Sequence, residues 1–167
     1  APQRRTVAVE TRIIDMYPGE VANVFDIRSQ LTPTEWDLAI GPTRHAYFTV
    51  RLADGLRIDD GGTILDSEGR CKVGEITGQV AEWVDVSGPG PHGHLAGLAV
   101  VPHPSASGHP WSIYSWGSII VNPFLNHKHE LKIGQTIDTS IRIIAHDGDP
   151  GHANIAEMAA ELLSSCR

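Results

Sequence analysis

Histidine is the residue that stands out here, with nine in 167 positions, seven of them between His92 and His146. Imidazole changes charge near neutral pH, so it serves as general acid, general base or metal ligand without further tuning. Three groups carry the pattern. In the first, His103 and His109 are each followed by proline, in Pro102-His103-Pro104 and Gly108-His109-Pro110-Trp111. Proline fixes its own backbone and biases the residue before it to an extended geometry, so both rings are held at set angles. In the second, Ala145-His146-Asp147-Gly148-Asp149 places a histidine beside carboxylates, the setting of an oriented base or a metal ligand. The ordinary reading of Asp147 and Asp149 is a turn and a helix cap. In the third, His127-Lys128-His129 has the spacing of an extended chelating pair, and equally of a solvated loop. His92-Gly93-His94 invites the same comparison in a glycine-bearing, mobile setting. Trp111 and Trp116 nearby suit the flat face of a sugar, or plain core packing.

Other chemistries have no motif. The chain contains no G-x-S-x-G, G-x-x-x-x-G-K-[ST], H-E-x-x-H or G-x-G-x-x-G, so no nucleotide or flavin is implied. The acidic segment Asp54 to Asp60 lacks calcium-loop spacing. Cys71 and Cys166 form no C-x-x-C and are expected to be free thiols in a cytoplasmic protein. A net charge of -7 gives no basic footprint for nucleic acid. No apolar run approaches the roughly 18 residues of a membrane span, and Arg4-Arg5 leads into an alternating stretch, not a signal core. The start at Ala1-Pro2 fits removal of an initiator Met or cleavage from something longer.

The elements that must position these side chains read as strands. Alternation over Thr6 to Ile14, a turn at Tyr17 to Glu20, and Val21 to Ile27 give the first pair. Leu31 to Thr34 breaks the pattern, and Trp36 to Ile40 is a short strand. His45 to Ala53 alternates as a half-buried strand. Asp54 to Gly78 is mostly turns, with a short strand at Gly62 to Leu65. Gln79 to Val86 and the apolar run Leu95 to Val101 are further strands. Trp111 to Val121 is a strand pair or a bent strand with Gly117 as its bulge. Ile137 to His146 is the last strand. A C-terminal helix over 152–164 carries Ile155, Met158, Ala159 and Leu162 on one face, with Asp149 as cap and Pro150 in its first turn. Many short strands with Gly/Pro turns predict an all-β antiparallel sandwich, one domain over 1–167.

Five motifs in order also carry a resemblance. They are Trp83-Val84-Asp85-Val86-Ser87-Gly88, Gly97 to Pro104, His109-Pro110-Trp111, Asn122-Pro123-Phe124 and His146-Asp147-Gly148-Asp149. Together they resemble the C-terminal half of the PmoA-like family of bacterial proteins, from about Gly41 to the final helix. The resemblance implies kinship with sugar-binding supersandwiches and a link to carbohydrate metabolism. Where members read T-K-E-G, this chain has Thr43-Arg44-His45-Ala46, so an acid is replaced by His45 and the chemistry is altered or lost, unless His45 takes over as base.

The leading expectation is a cofactor-independent enzyme acting on a sugar-like or other oxygenated small molecule, of hydrolase, lyase, isomerase or cyclase type. His103, His109, His146 and His45 are its expected acid-base residues. Arg44, Trp111, Tyr114, Asn122 and Trp83 are the expected substrate contacts. A second reading is a zinc, copper or iron protein using some of His103, His109, His127, His129 and His146. A third is a non-catalytic module, a homodimer or a chain completed by a partner that supplies the missing half.

Overall fold

The computed structural model describes residues 4–45, 48–90 and 93–165. Its main sheet has six antiparallel strands in the order β1-β2-β11-β7-β6-β5. These are β1 (Ala8–Tyr17), β2 (Ala22–Pro33), β5 (Thr63–Asp66), β6 (Val84–Pro89), β7 (Leu95–Pro102) and β11 (Ile137–Asp147). A three-stranded sheet of β4 (Phe48–Arg51), β9 (Ser118–Val121) and β8 (Trp111–Tyr114) faces it. A short pair joins β3 (Leu38–Ile40) to β10 (His129–Leu131). The fold is the expected all-β sandwich with one C-terminal helix.

Side-chain alternation explains both cores. On one face of the main sheet Ile64, Val84, Val86, Val100 and Ile141 meet Phe48, Trp111, Ile113, Ile119 and Val121 of the small sheet. On the other face Ala99, Val101 and Ile144 receive Ile155, Ala159 and Leu162 of α2 (Ile155–Ser165). The continuous apolar run of β7 is thereby explained: both of its faces are covered, one by a sheet and one by a helix.

Several boundaries moved. β1 continues through Tyr17, and β2 runs on through Leu31, Thr32 and Pro33, where a break was expected. Pro33 is tolerated because it lies at the strand end opposite Ala8. Gln79 to Glu82 is not strand; β6 starts at Val84. Trp111 to Val121 is a hairpin, with Gly117 at its turn (φ 107°) instead of at a bulge. The segment expected as turns also holds a short helix, α1 (Val73–Ile76), whose Ile76 is fully buried. The final helix begins at Ile155, because Asp149 ties up the preceding turn by accepting the His152 N–H on Oδ1. The strand predicted from His45 is β4 only, and its positions 46 and 47 lie outside the described residues, as do His92 and Cys166. Cys71 is an exposed free thiol. No helix among the described residues is long and apolar enough to cross a membrane.

Candidate functional site

The strand β11 carries candidate chemistry at both ends. His146 lies near its C-terminal end, directly opposite Gly97 of β7. A Cβ at Gly97 would overlap Cε1 and Nε2 of the ring. The absence of a side chain there lets the imidazole lie across β7 and reach β6. Its Nε2 meets Oδ2 of Asp85 at 2.7 Å, and the Ser87 hydroxyl donates to Oδ1 of Asp85 at 2.7 Å. Nδ1 of His146 faces the Asp147 carbonyl at 3.3 Å. The His146 and Asp85 side chains are sealed from solvent. Burial alone pulls the imidazole toward its neutral form, but the hydrogen bond and charge of Asp85, with help from Asp147, win and raise its pKa above the ordinary value. Both ring nitrogens are occupied by protein groups. A general base needs a nitrogen free for substrate, so this arrangement is a buried polar clamp across three strands.

The N-terminal end of β11 differs. Here His103 follows β7, and its backbone N–H donates to the Ser140 carbonyl. The 103–110 loop is pinned at its far end where Asn122 N–H donates to the Pro110 carbonyl. Between this loop, β10 and the start of β11 lies a hollow of about 260 Å³, lined by Ser105, His109, Pro123, Phe124, His129 and residues 136–139. Partial burial pushes the His109 imidazole below its ordinary pKa, favouring its neutral form. Asp138 contributes a carboxylate held well ionised by Arg28 and Gln30. Ser105 and Thr136 add hydroxyls, and the ring of Phe124 stands 5.8 Å from that of His129. His103 sits just outside: Ser105 Oγ lies 3.5 Å from its Nδ1, and the residue lines a neighbouring hollow of about 300 Å³ with Asp26, Arg28 and Arg142.

His103 and His109 are therefore brought to one end, and His146 to the other. From Asp138 to His146 is eight residues of extended chain, roughly 26 Å. The three do not share a cleft. Among the described residues no group of three or more His, Cys, Asp or Glu side chains is placed to hold a metal ion, so the His103, His109, His146 ligand set is not assembled.

The other expected contacts divide by burial. Trp111 is fully buried in the inter-sheet core, its indole N–H donating to the Ala81 carbonyl. Trp83 packs under α2. Neither presents a face to ligand: Trp111 points inward from β8, and Trp83, just before β6, is packed into the core under α2. Asn122 is fully buried, donating to the Thr43 carbonyl and Ser112 hydroxyl and accepting the Phe124 N–H. It pins the turn that carries Arg44 and His45. Those two are exposed, with Arg44 Nε 3.4 Å from His45 Nε2. Tyr114 stacks on the exposed Trp116, with Arg51 over the Trp116 ring.

Asp85, Ser87, Gly97 and Asp138 were not among the expected site residues. Asp85 and Ser87 had a signal: acid and hydroxyl at alternate positions of an otherwise apolar strand must find a polar partner on one face.

A family model matches residues 1–160. The chain belongs to a family of unknown function, DUF6807. The DUF6807 match corrects the resemblance to PmoA-like proteins, which had begun only at about Gly41. It takes in β1 and β2 as well, so the first strand pair is part of the family's matched region. No curated protein and no solved structure matches the chain.

Proposed function

We propose that the chain binds a small oxygenated molecule, of polyol or sugar type, in the hollow at the N-terminal end of β11, and that His109 serves there as a general base. The reading rests on one observation: an imidazole, a carboxylate and hydroxyl groups line the same open hollow beside an apolar wall, with burial favouring the neutral imidazole and Arg28 favouring the ionised carboxylate. Such a lining suits a ligand with hydroxyls on one side and C–H surface on the other. The reaction would be cofactor-independent acid-base chemistry, with His103 at the rim as a secondary proton carrier through Ser105. His146 has no direct part in it. The free thiol of Cys71 suits a reducing compartment, so a cytoplasmic setting is the fitting one.

The test is titration of the isotope-labelled chain with a panel of polyols, aldoses and sugar acids, followed by imidazole and Asp138 signals in NMR spectra. A responding ligand should shift His109 and Asp138 and leave His146 unmoved, and His109→Ala should abolish the response. A panel that moves none of these signals, or a ligand bound equally by His109→Ala, sinks the reading. If turnover is found, the acid limb of its pH profile should lie below pH 6.5, since the base form of His109 persists to lower pH than that of an ordinary imidazole.

A further inference from the structure

The most exposed apolar surface belongs to β1. All of its positions after Ala8 are exposed, and Val9, Ile13, Ile14 and Met16 are between 48% and 63% accessible. Among the described residues β1 pairs only with β2, so its other side is an unpaired edge of the main sheet. A long, flat, apolar edge is a template for a further strand, and proteins that keep such an edge free blunt it with bulges, prolines or inward charges. β1 has ten consecutive residues in unbroken register with β2 and no proline, and its two inward-side charges offset each other: Arg12, over the Phe48 ring, donates to Glu10, which also accepts from the Ser29 hydroxyl.

The ladder fixes which backbone groups point outward. Thr34 N–H donates to the Val7 carbonyl, and Ala8 lies opposite Pro33, which has no N–H. Backbone groups alternate sides along an antiparallel strand. Odd-numbered positions of β1 therefore bond to β2, and Ala8, Glu10, Arg12, Ile14 and Met16 direct their N–H and C=O groups to the open edge. Two copies of β1 can then pair antiparallel only in registers that set even against even and odd against odd. Centring on Arg12 opposes two arginines. Centring on Ile13 sets Arg12 against Ile14 and Glu10 against Met16. Centring on Thr11 sets Glu10 against Arg12 twice, Val9 against Ile13 twice and Ala8 against Ile14 twice. Cross-strand pairs of opposite charge and of apolar residues stabilise a sheet, while like charges opposite one another destabilise it.

We propose that the partner of this edge is a second copy of the same chain, joined β1 to β1 about a twofold axis through Thr11, so that the two main sheets continue as one. The contact is isologous and closes on itself. It is independent of any ligand in the hollow near His109.

The experiment is sedimentation or light scattering of the full chain over roughly 1 to 200 µM, where a dimer must show a concentration-dependent mass. Arg12→Pro removes an outward N–H together with the Arg12 side chain and its bond to Glu10, leaves the β1–β2 backbone bonds in place, and should weaken dimerisation at least tenfold. Glu10→Arg and Arg12→Glu should each do the same by opposing like charges, and the Glu10→Arg/Arg12→Glu double variant should restore association. Circular dichroism melts check that each variant is folded, and the charge variants decide the matter if the proline variant is not. A chain that stays monomeric throughout, a dimer indifferent to these changes, or a double variant that fails to recover overturns the proposal.

Discussion

The two ends of β11 use the same residue types to opposite effect. Near Asp147, a histidine, an aspartate and a serine are linked in a line and closed off from water. Near Ile137, histidines, an aspartate and hydroxyls surround open space, and their side chains are partly solvated. A buried polar group costs stability unless its partners are present, so the first set must be complete within the protein. A solvated group tolerates an unfilled valence, which is what a ligand requires. Sealing therefore separates a structural histidine from one available for chemistry, although His146 has the more catalytic-looking neighbours.

The contrast breaks most visibly at Asp85. Asp85→Ala leaves His146 buried without its partner and should cost about 3–5 kcal/mol, read from urea unfolding. At the other end Asp138→Ala, in a largely solvated pair with Arg28, should leave the unfolding midpoint near that of the unaltered chain. Equal losses at both ends would erase the distinction. Gly97→Ala is next, at about 1–3 kcal/mol, because the new methyl displaces the ring. In a His146→Ala background that cost should largely vanish, a coupling that a double-mutant cycle measures.

The pH dependence of stability sharpens the comparison further. The folded pKa of His146 is raised above 6.5, so the protonated ring is favoured by folding. Its contribution is fully present below about pH 6.5 and is lost as pH rises through the raised value. Melting temperature should accordingly fall over that interval, and His146→Gln should remove this part of the slope. The smallest effect is expected at His109. His109→Ala should change stability by less than about 1 kcal/mol in thermal melts, while removing ligand response altogether.

Much of this was visible in sequence. The apolar run of β7 and the alternation in β1 and β4 announced a sandwich, because side-chain period and burial are local consequences of strand geometry. The amphipathic face of α2 was legible for the same reason. Less visible was the continuation of β2 through Pro33, since the proline's harmlessness depends on what lies opposite it. The buried fate of Trp111, Trp83 and Asn122 was equally hidden. Aromatic and amide side chains suit a ligand face and a core alike, and only the covering sheet, helix or turn decides between them.

For the histidines themselves, sequence determined how many there are and that proline frames His103 and His109. It also determined that His146 sits on a long strand beside acids. Tertiary structure alone decided that Gly97 would open a path from His146 to Asp85, and that His109 would line a hollow with Asp138. Those partners are 61 and 29 positions apart in the chain. Their meeting is set by strand order and register, which long-range packing fixes and no local pattern encodes.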